Sequence, residues 1–319
     1  MTKAHPQDTP HRAPPRGARA AIPELEPCSA LGMILSRVLI PLIFAIRLPA
    51  RLRLRRDRAR GPASAPPRVR RDFAVTEETL GKTRMFRLRP RDHVSTGRLI
   101  YIHGGGYMFN LIPAQWIILS ELCRQTGVEV LVPLYPLAPE ATVEQGLAAI
   151  ATAWEAATGE VGAHGVILAG DSAGAGLALA WAQHLRDAGR APAAGLVLFS
   201  PWLDATVGGE DQPKLARRDA MLSIESLRQA GRAWAGSRGA DHPWISPLFG
   251  AMTDLPPIQV FAGTRDVLYS DALRLAARLP EIDLRRYDQM FHVWVAAPIP
   301  EARHALQAAG RFIAARLGR

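Results

Sequence analysis

Val166-Ile-Leu-Ala-Gly-Asp-Ser-Ala-Gly-Ala-Gly-Leu-Ala-Leu-Ala180 begins as an apolar run, turns at Gly170-Asp-Ser-Ala-Gly174 and continues in small helix-forming residues. A buried strand that enters a Gly-x-Ser-x-Gly turn and leaves it as a helix puts the serine hydroxyl at the tip of a strained turn. Gly170 and Gly174 carry no side chain to clash where strand and helix cross. The start of the helix aims free backbone N–H groups and a positive dipole end at any charge developing beside Ser172. A purely structural turn fits the same five residues, so the rest of the chain must discriminate.

Outward from this turn, strands alternate with helices. Residues 98–102, 128–134, 166–171, 195–199, 258–262 and 283–287 read as strands, with a starting hairpin at 73–75 and 83–88. Residues 113–125, 141–157, 173–188, 271–279 and 300–317 read as helices, the first with Pro113 near its start and Gly127 just past its end. This alternation predicts a mostly parallel sheet covered by helices on both faces. Residues 204–239 break the rhythm with a polar, glycine-bearing, helical insertion after a strand end. Open α/β sheets bind ligands at that edge, so the insertion reads as part of a lid.

The 319 residues carry a net charge of +10, and its distribution matters more than its size. Residues 1–71 hold 15 Lys and Arg against 4 Asp and Glu, leaving 24 against 25 for residues 72–319. The body is therefore neutral, which argues against nucleic acid as a partner. Residues 1–30, rich in Pro, Arg and Ala, are expected to lack fixed structure. Residues 31–46 are strongly apolar but too short for a membrane span, and an arginine-rich run follows at 51–58. Residues 31–71 read as a helical cap over the mouth of the body or as an element resting on anionic lipid through residues 31–60. The catalytic body is expected at 72–319. Cys28 and Cys123 suggest neither a disulfide framework nor a zinc site, which fits a cytoplasmic, membrane-associated or free, location.

Tyr101-Ile-His-Gly-Gly-Gly-Tyr107 follows directly on a strand. Its glycines Gly104, Gly105 and Gly106 let backbone N–H groups approach a substrate closely, and with Ala173 they would form an oxyanion hole. A phosphate loop fails as an alternative because neither a Lys-Ser/Thr ending nor a Gly-x-Gly-x-x-Gly spacing is present. A serine nucleophile needs a base, and the base an orienting acid. His292 lies in a loop at the carboxyl edge of the sheet, whereas His184 and His304 fall in helices; His164 and His242 remain loop candidates. Asp266 follows the strand at 258–262, and Asp271 is its rival.

Taken in order, His103-Gly-Gly-Gly106, Tyr135-Pro-Leu-Ala-Pro-Glu140, Gly170-Asp-Ser-Ala-Gly174, Ile245-Ser-Pro-Leu248, Gly263-Thr-Arg-Asp266 and His292-Val-Trp294 resemble the hormone-sensitive-lipase-like branch of the α/β-hydrolases. The resemblance covers roughly residues 72–317. It implies an α/β-hydrolase fold with a mostly parallel central sheet and a helical cap. It also implies Ser172 as nucleophile, Asp266 as acid, His292 as base, and an oxyanion hole made mainly by Gly105 and Gly106 with Ala173. The implied reaction is hydrolysis of a small-molecule carboxylic ester through an acyl-enzyme, with no metal and no cofactor; because the oxyanion donors come from a loop beside the cap, short to medium acyl chains are expected. An amide or N-acetyl hydrolase, a lactonase, or a non-catalytic ligand-binding protein would use the same scaffold, and a homodimer is compatible with it. Asn110-Leu-Ile112 departs from the small or polar residues usual after the glycine loop.

Overall fold

The computed structural model describes residues 23–45, 49–92 and 95–318. A two-residue strand β1 (Leu25–Glu26) precedes four helices, α1 (Ala30–Ile34), α2 (Ile40–Ala45), α3 (Ala50–Arg60) and α4 (Pro67–Asp72). A π turn, Leu35–Leu39, joins α1 to α2 without a break. The body runs β2 (Phe73–Leu80), β3 (Thr83–Pro90), β4 (Arg98–Ile102), α5 (Gln115–Thr126), β5 (Glu129–Pro133) and α6 (Val143–Val161). It continues through β6 (Val166–Asp171), α7 (Ala173–Asp187) and β7 (Gly195–Phe199). The insertion carries α8 (Gln212–Ala216) and α9 (Ile224–Ala235), after which come β8 (Ile258–Gly263), α10 (Tyr269–Arg278), β9 (Asp283–Tyr287) and α11 (Pro300–Arg316).

The strands form one sheet in the order β1-β9-β8-β7-β6-β4-β5-β3-β2. It is parallel except where β3 pairs antiparallel with β2 and β5. Alternation along the central strands divides the core into two layers. Ile100, Ile102, Leu168, Leu196 and Leu198 face one side, where α6 and α7 pack; Leu99, Tyr101, Ile167, Ala169 and Val197 face the other, under α5 and α11. Strands buried on both faces must be apolar throughout, and each such side chain removed from water contributes roughly 1.5–3 kcal/mol. That demand produced the apolar runs visible in the sequence.

Helix ends follow local chemistry. α5 stops where Gly127 adopts a left-handed conformation (φ 65°) and donates its N–H to the Cys123 carbonyl at 2.9 Å. α6 starts at Thr142, whose backbone N–H donates to the Gln145 side chain at 2.9 Å.

Two expectations need correction. Residues 1–22 lie outside the described residues, but 23–30 are not without structure. β1 extends the sheet by pairing parallel with β9, Leu25 against Arg286 and Glu26 against Tyr287. An edge strand has unpaired backbone groups, and two residues suffice to cover some of them, too few to leave a periodic signal. The hairpin strand expected at 73–75 runs on to Leu80. Its second half is polar and is held by the ladder and by ion pairs of Glu77 with Arg84 and Glu78 with Arg87, which hydrophobic periodicity does not register.

Of the loops that leave the sheet at its carboxyl edge, four build the site, those after β4, β6, β8 and β9. They carry the glycine loop, Ser172, Asp266 and His292 respectively.

Candidate active site

Ser172 stands between β6 and α7 with φ 55° and ψ −121°, a conformation that non-glycine residues rarely adopt. Such strain costs on the order of 1–3 kcal/mol and persists only when the surroundings over-determine it. Here its N–H donates to the Phe199 carbonyl at 2.9 Å, and its carbonyl accepts from Trp202 N–H at 3.0 Å. A Cβ on Gly170 would lie 2.6 Å from the Ile102 carbonyl oxygen, and one on Gly174 would collide with the same oxygen. The two glycines are thus what allow the turn to sit against β4.

His292 Nδ1 lies 2.7 Å from Asp266 Oδ2, and its Nε2 lies 2.9 Å from Ser172 Oγ. A carboxylate can only accept, so Nδ1 carries the proton and Nε2 is left to accept the serine hydroxyl. The other Asp266 oxygen accepts the Leu268 N–H at 2.8 Å, which fixes the carboxylate plane. The His292 loop is fixed in turn by Val293 N–H donating to Ser200 Oγ at 3.1 Å. All three side chains are buried. Burial pulls the imidazole pKa down, but Asp266, with Asp219 and Asp171 behind it, outweighs that and holds it above its ordinary value.

Among the described residues, no acceptor takes the backbone N–H of Gly105, Gly106 or Ala173. Gly105 (φ 118°) and Gly106 (φ 62°) hold positive-φ conformations and line the same cavity as Ser172. Gly104 is different. Its N–H donates to Asp171 Oδ1 at 3.0 Å, so of the four donors expected for an oxyanion hole it is the one already engaged. Asp171 also accepts Tyr101 Oη at 2.7 Å and Gln115 Nε2 at 2.9 Å. One buried carboxylate therefore ties β4, the glycine loop and α5 to the residue preceding Ser172.

The rival residues lie elsewhere. Asp271 is fully buried and accepts Leu203 and Asp204 N–H at 2.8 and 3.0 Å, anchoring the start of the insertion rather than reaching His292. Burial pushes its carboxyl up to about 8. His184 and His304 lie on α7 and α11, His164 on a short turn before β6, and His242 beside Trp244; His5, His11 and His93 lie outside the described residues. His103, next to the glycines, is buried, stacks on Tyr135 with ring centroids 4.6 Å apart, and is held below its ordinary pKa by burial. Among the described residues, no cluster of three or more His, Cys, Asp or Glu could hold a metal ion.

Sequence reasoning missed two supports. Asp219, in the insertion, accepts Met221 and Leu222 N–H on one oxygen and Val267 N–H at 2.9 Å on the other, which clamps the insertion to the loop carrying Asp266. Burial, then the Asp266 charge, raises its pKa. Asp57 on α3 accepts the Asn110 side-chain amide at 2.7 Å and its backbone N–H at 3.1 Å. The unusual Asn110 thus latches α3 to the end of the glycine loop. An aspartate as the seventh residue of an arginine run, and an Asn where small residues are usual, were the available signals.

A cavity of about 590 Å³ opens beside Ser172 and His292. Its walls come from Leu35, Ile40 and Phe44 of the N-terminal helices, from the glycine loop, and from Leu227 and Ala230 of α9.

Residues 99–296 match the family described as the alpha/beta hydrolase fold. The chain is similar to an acetyl-hydrolase of Streptomyces hygroscopicus, 35% identical over 226 residues that cover 67% of this chain and 74% of that one. It is similar to an esterase of Acinetobacter venetianus, 30% identical over 230 residues, 68% and 75% of the two chains. It also superposes on the crystal structure of an esterase from the bacterial hormone-sensitive lipase family with a TM-score of 0.78 at 27% identity, covering 91% of this chain and all of that one.

Proposed function

The chain belongs to the α/β-hydrolase family and hydrolyses carboxylic esters, and we infer that it does so with Ser172 as nucleophile, His292 as base and Asp266 as the acid that orients it. The observation that carries this reading is the unbroken hydrogen-bond path Asp266–His292–Ser172, which reaches the cavity at His292 and Ser172. In the acylation step His292 Nε2 takes the hydroxyl proton as Oγ attacks the ester carbonyl. The N–H groups of Gly105, Gly106 and Ala173 receive the oxyanion; losing one such donor typically costs about 2.7–4 kcal/mol of barrier. His292 then returns the proton to the leaving alcohol. Water, deprotonated by the same nitrogen, releases the acid from Ser172.

Substrates of short to medium acyl length fit this reading. The cavity is lined in part by α1–α2 and α9, where Leu35, Ile40, Phe44, Leu227 and Ala230 give an acyl chain an apolar wall of limited extent. Peripheral membrane contact through residues 31–60 is part of the same proposal.

The test is turnover of p-nitrophenyl esters from acetyl to palmitoyl by the wild type and by Ser172→Ala, with mass spectrometry of the protein after a fluorophosphonate. Turnover that peaks below decanoyl, is lost in Ser172→Ala, and is blocked by one adduct on Ser172 is the expected result. Undiminished turnover in Ser172→Ala refutes the assignment.

A further inference from the structure

The helical run from Ala30 to Ala45 is docked to the body by Gly32 and Ser36, by Leu35 and Ile40 packed against the core, and by Arg37 donating to the Gln289 side chain at 2.9 Å. Gly32 lies against the Glu301 carboxylate, and the buried Ser36 donates its hydroxyl to the Gln289 carbonyl at 2.5 Å. Leu35, Ile40 and Phe44 on a neighbouring face line the substrate cavity. The remaining face carries Leu31, Ile34, Val38, Leu42 and Ile43, spaced about a turn apart and exposed, with Leu42 at 69% and Ile43 at 63%. A helix at a water boundary normally keeps its large apolar groups inward and presents polar ones outward. A contiguous apolar surface of this kind marks a contact site.

What it contacts is set by its neighbour. α3 supplies Arg53 and Asp57 to the same cavity wall, so it flanks the same mouth. Its Arg51, Arg55, Arg56 and Arg60 are exposed and pair with no carboxylate among the described residues. An exposed apolar ridge beside a row of unpaired guanidinium groups is the pattern of an interfacial element on an anionic bilayer, with apolar side chains in the acyl boundary and arginines on the phosphates.

Resting on the ester-hydrolase reading above, we propose that α1–α2 and α3 seat the protein on an anionic lipid surface and that its substrates are amphiphilic esters drawn from that surface. Leu35 and Phe44 face the cavity while Val38 and Leu42 face outward on the same helical run. Insertion of the ridge therefore brings the cavity mouth to the membrane, and an ester can enter without its acyl chain crossing water. The exposed Ile112 at the cavity rim extends the apolar border.

The test separates binding from turnover. Full-length Ser172→Ala is floated with vesicles of phosphatidylcholine alone and of phosphatidylcholine with phosphatidylglycerol. Recovery with the anionic vesicles only, lost at about 1 M salt, where charges are screened beyond about 3 Å, is the expected result. Val38→Asp/Leu42→Asp/Ile43→Asp and Arg51→Glu/Arg55→Glu/Arg56→Glu should each cut recovery at least ~10-fold. In the Ser172-containing chain, both triple variants should keep p-nitrophenyl acetate turnover while losing at least ~10-fold on dioctanoylglycerol held in anionic vesicles. No flotation, equal flotation with neutral vesicles, or flotation unchanged by either variant overturns the lipid partner. So does a solution dimer that the apolar variant dissociates. Equal vesicle-ester rates in bound and unbound variants overturn the substrate class. Absence of turnover on soluble esters would instead fault the ester-hydrolase reading, leaving the flotation result to stand by itself.

Discussion

The Asp171 carboxylate accepts the Gly104 N–H at 3.0 Å, so the residue before Ser172 holds the loop that would bind the oxyanion. The same carboxylate receives Gln115 Nε2 on both oxygens, at 2.9 and 3.0 Å, and the Gln115 carbonyl oxygen is already committed to the Ile112 N–H at 2.9 Å. Gln115 therefore cannot flip to greet an amide. Asp171→Asn would set two NH₂ groups against each other in a buried site, at a cost of about 1–3 kcal/mol. The expected outcome is a Tm lower by several degrees and a kcat lower by about 10–100-fold, with KM little changed. Thermal unfolding and steady-state kinetics on a soluble ester check it.

Catalysis by this scheme needs neutral His292, whose pKa is held above its ordinary value, so kcat/KM should fall as pH drops through that raised value. Asp219 contributes to the raising. Asp219→Asn keeps an acceptor oxygen for Val267 N–H or for the Met221 and Leu222 N–H groups, not for both, and removes a negative charge, which weakens proton binding by the imidazole. The acidic limb should move to lower pH, on the order of half a pH unit, with the alkaline plateau retained. A limb that stays in place, or moves to higher pH, contradicts the electrostatic role.

Gly174→Ala should not yield a stable protein. The new methyl group would meet the Ile102 and His103 backbone rather than a side chain that could swing aside. A loss of about 3 kcal/mol or more is expected, read as loss of soluble protein or of a cooperative melt. The body glycine Gly159 has open space at its Cβ position, and Gly159→Ala in α6 should stabilise by about 0.5–1 kcal/mol, which serves as the control.

Asp57→Ala and Asn110→Ala break one latch from its two sides. Each should lower kcat/KM by about 10-fold through a looser cavity wall, and the double variant should be no worse than the worse single one. That is a coupling of about 1–2 kcal/mol in a double-mutant cycle. Additive losses would show that the two residues act separately.

Most of the sheet was legible because burial on both faces forces apolar runs at β4, β6 and β7, and because turns need particular residues, as at Gly127. Ser172 and the glycine loop were legible for the same reason, since a strained turn and a close backbone approach leave few residue choices. The polar half of β2 and the two-residue β1 were not, because pairing energy from backbone hydrogen bonds and ion pairs leaves no apolar period.

The sequence by itself determined the alternation of elements, the turn at Ser172 and the loops bearing Asp266 and His292, all of which depend on local conformation and burial. Only the tertiary structure decided that Gly104 spends its N–H on Asp171, that Asp219 rather than Asp271 lies beside the Asp266–His292 pair, and which face of the helix from Ala30 to Ala45 is left outside. Those outcomes are competitions among donors, acceptors and surfaces tens to hundreds of residues apart in the chain. They are settled when the sheet packs and sets which of them come within hydrogen-bond reach.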